Sequence, residues 1–321
     1  MLIGITMGDA NGVGPEIVLK SFIKGNLKER FIVIGDYDIL LFANECLGYN
    51  VPLRKTSSLD DIDSNYLNVI DLGILSRDDL TIGKASRKAG YASVMYVEQA
   101  TKMALEGKLD AIVTLPINKS AVRLTFPDFT GHTEFIAELC GEKDYTMMLA
   151  SDRLVVTHVS THVSLRNAVE MVKEENVYRV VVLTYNTLKR FIANPKIAVA
   201  GLNPHAGEDS AFGEEEEKEI KPAVERARRD GIDVEGPISP DTVFWKAYNG
   251  LYSAVVCMYH DQGHIPVKLL DFEGGVNITI GLKIIRTSVD HGTAYDIAYK
   301  GIANTKSFEN AFNFAVKLMR G

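Results

Sequence analysis

Short apolar runs recur along this chain at intervals that leave room for a helix between most successive pairs, and this alternation restricts the possible folds more than any other property. Leu2–Thr6, Phe31–Gly35, Asn68–Leu72, Ala111–Leu115, Leu154–Thr157, Lys196–Gly201, Ala254–Tyr259 and Val276–Ile280 are short and rich in Val and Ile. Several end in or beside Gly, Pro or His, so they read as buried strands. Between them, Lys84–Glu106 carries Ala, Val, Met and Tyr at helical spacing, with Gly107 placed to terminate it. Gly213–Arg229 and Lys306–Met319 read as further helices, and Pro15 suits the first turn of another. Strand–helix alternation predicts an α/β fold with a mostly parallel sheet and helices on both faces. At 321 residues the chain is long for one compact domain and short for three, which favours two lobes or one large α/β unit.

The formal charge is −7, so the chain lacks the basic footprint of a nucleic-acid or anionic-membrane binder. Any phosphate must be gripped locally, by a few placed cations and backbone N–H groups. Cys46, Cys140 and Cys257 form no CxxC and cannot all pair, which excludes a disulfide framework and suits a reducing cytoplasm. The start, MLIGITMGDANG, has neither a basic nor a long apolar region, and no run is long enough to cross a bilayer. The expectation is a soluble, cytoplasmic protein. The acidic block Glu214–Glu217, with Glu219, reads as carboxylates favourably placed at a helix start, the rest facing water.

In open α/β sheets ligands collect at the carboxyl ends of strands. Gly8-Asp9, Pro116 to Lys119, His158 to His162, Asn203-Pro204-His205 and His260-Asp261 all follow predicted strands. The first glycine segment has Gly12-x-Gly14 but Ile17 where a GxGxxG fingerprint needs its third glycine. No GxxxxGK[ST], GxSxG or HExxH is present, and His132-Thr133-Glu134 lacks the PCxxC of zinc deaminases. All seven histidines lie between 132 and 291. Singly, each reads as a structural residue. Jointly, THVSTH (157–162), NPHAG (203–207) and YHDQGH (259–264) suggest three imidazoles around a catalytic cation, zinc or cobalt rather than magnesium. Spacing leaves open which of His158 and His162, and which of His260 and His264, would bind it.

Several longer motifs carry a resemblance. They are Gly131-His132-Thr133-Glu134-Phe135, Thr161-His162-Val-Ser-Leu-Arg166, Gly201-Leu-Asn-Pro-His205-Ala-Gly207-Glu208 and Met258-Tyr-His260-Asp-Gln-Gly263. Gly275 to Leu282 and Ile285 to Ala294 continue the pattern. The chain resembles the 4-hydroxythreonine-4-phosphate dehydrogenase family of vitamin B6 (pyridoxine) biosynthesis, almost end to end. VSTHVSLR and YHDQGHIPVKLL look like a paralogous branch of carbohydrate metabolism. Its members convert D-threonate or D-erythronate 4-phosphate to dihydroxyacetone phosphate and CO2. The tail His291 to Asn304 is similar to the adenosine-binding loop of isocitrate and isopropylmalate dehydrogenases.

The resemblance implies a two-lobed α/β/α sandwich similar to those dehydrogenases, without a Rossmann fingerprint. Residues 1–135 with 285–321 would form the first lobe, and 136–284 the second, with the metal ligands and dimer contacts. It implies an NAD-dependent oxidative decarboxylase (NADP being the alternative) that needs a divalent metal (Zn, Co or Mg) and works as a homodimer with a shared active site. The implied metal ligands are His162, His205 and His260, and the implied substrate contacts are His132, Thr133, Lys268, Asn277 and Arg286. The cofactor would lie on His291, Gly292, Thr293 and Ala294, with Asp296 nearby. Lys268 and Asp241 are the candidate proton-transfer residues, and the sequence assigns no role to His158 or His264. The family's first loop usually resembles GDPAGIGPE, whereas Ala10-Asn11 stands here in place of Pro-Ala, which leaves that loop's role open. Three rival functions remain: 4-hydroxythreonine-4-phosphate dehydrogenase, a metal-dependent hydrolase or aldolase on the same histidines, and a non-catalytic phosphometabolite sensor.

Overall fold

The computed structural model describes residues 1–321, which separate into two compact units: Met1–Lys143 with Leu282–Met319, and Asp144–Gly281 with the last two residues. The first unit contains strands β1 (Ile3–Thr6), β2 (Phe31–Gly35), β3 (Leu53–Lys55), β4 (Leu67–Asp71) and β5 (Ala111–Thr114). Its helices are α1 (Gly14–Lys24), α2 (Tyr37–Leu47), α3 (Arg87–Leu105), α4 (Lys119–Arg123) and α5 (His132–Cys140). The second unit contains β6 (Thr146–Ala150), β7 (Val155–His158), β8 (Ile197–Ala200), β9 (Val234–Ile238), β10 (Ala254–Cys257) and β11 (Val276–Ile280). Its helices are α6 (Leu165–Met171), α7 (Glu174–Leu188), α8 (Lys221–Arg229), α9 (Pro240–Tyr248) and α10 (His260–Leu270). The chain then returns to the first unit with β12 (Ile285–Val289) and α11 (Lys306–Arg320).

In the first unit the strand order is β3-β4-β2-β1-β5-β12, every pair parallel. Ile3 stands opposite both Phe31 and Ala111, so β1 lies at the centre and is fully buried. Parallel strands covered on both faces demand apolar side chains on both, as Ile3, Ile5, Ile32, Ile34 and Val113 supply. Each such side chain contributes about 1.5–3 kcal/mol on burial. α11 covers this unit with Phe308, Phe312 and Ala315, and the Phe312 ring meets Phe31 edge-on at 5.9 Å.

In the second unit the order is β11-β6-β7-β10-β8-β9. β6 runs antiparallel to β11 and β7, whereas β7, β10, β8 and β9 are mutually parallel. Leu149, Val156, Ala198, Val255 and Cys257 fill its centre, with Val243 and Val267 packed on from α9 and α10. Burial raises the Cys257 thiol's pKa far above its ordinary value, which leaves it inert. No helix is long and apolar enough to cross a membrane.

Four strands lie outside the expected set. β3 and β9 are edge strands with half-exposed residues, and β9 carries Gly236 and Pro237. β6 has Met, Leu and Ala but no Val or Ile, and β12 contains Arg286, so neither shows the Val- and Ile-rich run expected of a buried strand. The expected helix Gly213–Arg229 is a π-helical turn (Glu216–Ile220) leading into α8. α3 starts at Arg87 rather than Lys84, because the Ser86 side chain caps it by accepting the Ala89 N–H. The first unit extends past the expected limit at residue 135, to Lys143, because α5 packs on α3.

Candidate active site

Three neighbouring parallel strands of the second unit, β7, β10 and β8, each end in a histidine-bearing loop. His162 follows β7, His260 opens α10 directly beyond β10, and His205 follows β8. The loops are tied together. Ser160 Oγ donates to the Met258 carbonyl at 3.0 Å. The buried Gln262 side chain accepts from Met258 N and donates to the Gly201 carbonyl, both at 2.7 Å. These bonds connect the backbone beside His162, His260 and His205.

The His162 and His260 ring centroids are 5.8 Å apart. Asp261 Oδ1 holds His260 Nδ1 at 2.7 Å, which orients the ring and keeps Nδ1 occupied, so that Nε2 is the nitrogen a cation would use. His264, one helical turn on, stacks on His260 at 3.6 Å, and its Nδ1 lies 3.2 Å from Nε2 of the buried His158. Burial, then the neighbouring His264 ring, pushes the His158 pKa down to about 3, so the His158 ring is neutral. His205 is exposed, its ring centroid 6.5 Å from that of Phe212, and it helps Asp241 to stay ionised. The larger cause for Asp241 is the Ser239 hydroxyl, 2.5 Å away, which keeps its pKa below the ordinary carboxylate value. Within one chain no group of three His, Cys, Asp or Glu side chains closes around a metal position. The donor chemistry nevertheless fits a divalent cation: imidazoles on adjacent strand ends, one already oriented by a carboxylate.

His205 stands in an unusual segment. His205, Ala206, Gly207, Glu208, Asp209 and Ser210 all have positive φ, and the non-glycine members cost roughly 1–2 kcal/mol each in that conformation. Glu216 is not water-facing as expected of the acidic block. It is buried and accepts the N–H groups of Leu202 and Asn203, both at 2.7 Å.

Also in the second unit, Lys268 on the last turn of α10 has its Nζ 5.5 Å from the ring centroid of Phe272, just beyond the helix. Asn277 on β11 is held with Nδ2 2.9 Å from Met147 Sδ, while its buried Oδ1 has no hydrogen-bond partner.

In the first unit Arg286 is buried on β12. Its Nη2 donates to Thr114 Oγ1 at 2.8 Å, and its Nη1 reaches Thr133 Oγ1 at 3.5 Å. Burial lowers the guanidinium pKa to about 10, against an upward pull from Glu134, so it still carries its charge at neutral pH. His132 begins α5, and its buried Nε2 has no hydrogen-bond partner. Burial first, and the charges of Arg286 and Lys119 next, hold the His132 pKa well below its ordinary value. A buried cation beside a neutral imidazole and two hydroxyls is suited to an oxyanion.

The loop after β1 supports the segment expected to hold the cofactor. Val13 N donates to the Thr293 carbonyl at 3.0 Å, and a Cβ at Gly12 would stand 2.7 Å from that same oxygen. Tyr295 donates to the buried Asp9 carboxylate at 2.7 Å, and Tyr299 donates to the Ala10 carbonyl at 2.8 Å. Asn11, a departure from the usual loop, accepts the Thr81 N–H at 2.7 Å and donates to Ser86 Oγ at 3.2 Å. This loop is a brace. His291, Gly292 and Asp296 are exposed, Thr293 is buried, and Ala294 adopts a left-handed conformation with φ 42°.

Thus His162 and His260 come together, as do His132, Thr133 and Arg286, whereas His205 does not meet the other two rings within the chain. Glu216, Gln262 and Thr114 were not legible as site residues, whereas Asp9 stood among the strand-end residues. Of those three, only the position of Glu216, eleven residues beyond His205, offered any signal.

The family profile described as "Pyridoxal phosphate biosynthetic protein PdxA" matches residues 27–315. The chain is 46% identical to a D-threonate 4-phosphate dehydrogenase of Cupriavidus necator, covering 99% of this chain and 97% of that one. It is 42% identical to a 4-hydroxythreonine-4-phosphate dehydrogenase of Geobacter metallireducens, covering 98% and 95%. The crystal structure of a 4-hydroxythreonine-4-phosphate dehydrogenase from Klebsiella pneumoniae superposes with a TM-score of 0.91 at 40% identity, covering 99% of each chain.

Proposed function

Because this chain belongs to the pyridoxal phosphate biosynthetic protein PdxA family, we propose that it is an NAD- and divalent-metal-dependent dehydrogenase of a four-carbon 4-phosphorylated 3-hydroxy acid. The proposed substrates are D-threonate and D-erythronate 4-phosphate, and the products are dihydroxyacetone phosphate, CO2 and NADH. The observation that carries this reading is the lacing of the three histidine loops by Ser160 and Gln262 at the ends of β7, β10 and β8. Such lacing presents nitrogen donors in a preset array.

When bound, the dinucleotide accepts hydride and the cation acts as a Lewis acid on the substrate oxygens. His162, His205 and His260 would hold the cation, with Asp261 keeping His260 in register. His291, Gly292, Thr293 and Ala294 would carry the dinucleotide, with Asp296 at the edge of that loop. From the first unit, Arg286, His132 and Thr133 would bind substrate oxyanions. The neutral His132 contributes a hydrogen bond without adding charge. From the second unit, Asn277 and Lys268 would bind substrate. Loss of CO2 from the β-keto acid leaves an enolate, and Lys268 Nζ would stabilise it and supply the proton that completes the ketone. Asp241, held ionised by Ser239, is the other candidate for proton transfer and would act beside His205.

We place a second copy of the chain on α10. Leu269 is 84% exposed and Ile265 62% exposed on the helix that begins with His260, and Phe272, just beyond its end, is 74% exposed, which together make an apolar surface. A partner docked there would supply metal ligands that one chain does not assemble by itself. The test is NADH absorbance with purified protein, Zn, Co or Mg salts, NAD, and each of D-threonate, D-erythronate and 4-hydroxythreonine 4-phosphate. NADH with either sugar acid in preference to the amino acid supports the proposal. Preference for 4-hydroxythreonine phosphate reassigns the substrate. Product without NADH indicates a hydrolase or aldolase, and binding without turnover a sensor.

A further inference from the structure

We propose that Glu216 is a positioning residue that sets the angle at which His205 is presented, an inference that rests on reading His205 as a metal ligand. One Glu216 oxygen accepts Leu202 N and Asn203 N at 2.7 Å each, and the other accepts Asn203 Nδ2 at 2.9 Å. Asn203 Nδ2 also reaches Glu215 Oε2 at 2.8 Å. These donors lie between the end of β8 and His205, so the carboxylate clamps the entry of the loop. It also touches the exit, where a Cβ at Gly207 would lie 2.9 Å from Glu216 Oε2, and one at Gly201 would lie 3.2 Å from Oε1. Both glycines leave the room that this carboxylate occupies on either side of His205.

The clamp matters because of what it restrains. The six residues from His205 to Ser210 all have positive φ, a conformation that L-residues leave readily unless the surroundings impose it. Asn203, with φ −91° and ψ 162°, is the last extended residue of the loop entry that Glu216 holds directly. The π-helical turn Glu216–Ile220 widens the backbone where this side chain turns inward. Released from the carboxylate, the segment would relax toward ordinary φ values, and the imidazole would swing with it. Orienting groups behind metal ligands typically change affinity by about 10–100-fold.

The experiment uses full-length protein stripped with EDTA and titrated with Co2+, following its visible absorption. Circular dichroism checks folding at the assay temperature. His205→Ala, Glu216→Gln and Glu216→Ala are compared with the unmodified chain. The inference expects the Co2+ dissociation constant to rise about tenfold in Glu216→Gln, which keeps one acceptor oxygen, and further in Glu216→Ala. The absorption band should change, and kcat should fall more than KM rises. A merely structural carboxylate would lower the melting temperature and leave the spectrum of the folded protein unmoved. If Glu216→Ala does not fold, Glu216→Gln decides. Native Co2+ affinity and spectrum in a folded Glu216→Gln, with the metal lost in His205→Ala, overturns the inference alone. Native metal binding in His205→Ala overturns the ligand assignment and the inference with it.

Discussion

Acidification should destabilise the second unit through His158. The ring is wholly buried at the end of β7, and its pKa is pushed down to about 3 by burial and by His264, with His260 and His162 adding to the effect. The Met147 carbonyl, 3.5 Å from Nδ1, pulls the other way without prevailing. The unfolded chain takes up a proton at this ring near pH 6.5, whereas the folded chain refuses it until far lower. The unfolded state therefore binds more protons below pH 6.5, and stability falls as the pH falls through that value, at about 1.4 kcal/mol per unit. Between pH 7 and pH 5 the loss from this residue is about 2 kcal/mol. Urea unfolding of metal-free protein at both pH values measures it, followed by the fluorescence of Trp245, the single tryptophan, which lies in the second unit. His158→Gln removes the titration and should lose about 2 kcal/mol less over that interval. His132, in the first unit, shifts in the same direction but is common to both proteins, so the difference isolates His158. Identical pH dependence in the two proteins would refute the reasoning.

Arg286→Ala should raise KM for the phosphorylated acid about 30-fold or more, the equivalent of one charged hydrogen bond, while KM for NAD stays within twofold or so. Steady-state kinetics decide this, and an unchanged substrate KM removes Arg286 from the anion site. Leu269→Glu, at an 84% exposed position on α10, should shift the chain from dimer to monomer in sedimentation velocity, with circular dichroism unchanged and turnover lost. A variant that remains dimeric places the interface elsewhere.

Much of the fold was legible because parallel strands buried on both faces must be continuously apolar. Phe31–Gly35 and Val276–Ile280 coincide with β2 and β11, and Ala111–Leu115 differs from β5 by one residue. β3 and β9 were not legible, because an edge strand needs no apolar side chain on its open side. α7, the principal helix of the second unit, was missed although Val177, Val180, Val181, Thr184 and Leu188 fall at helical spacing, because the β-branched run Val180–Val182 weighs toward a strand. The acidic block was misread at Glu216. A π-helical turn changes the face on which a residue falls, so ordinary helical spacing points it to water, whereas the structure buries it under the His205 loop.

From the sequence alone came the α/β alternation, the exclusion of Rossmann and P-loop chemistry, and the placement of His162, His205 and His260 just beyond strands. These are local properties, set by side-chain type and by the period of the backbone. Tertiary structure decided that β7, β10 and β8 are neighbours, since strand order depends on crossovers that no local pattern encodes. It also decided that Arg286 is buried between two threonine hydroxyls rather than solvated, and that Glu216 holds the His205 loop. Each of these joins residues that are distant along the chain or turned by an irregular backbone. Such energies arise only once the units have packed, because burial is what makes an unpaired charge costly and a charge-assisted hydrogen bond strong.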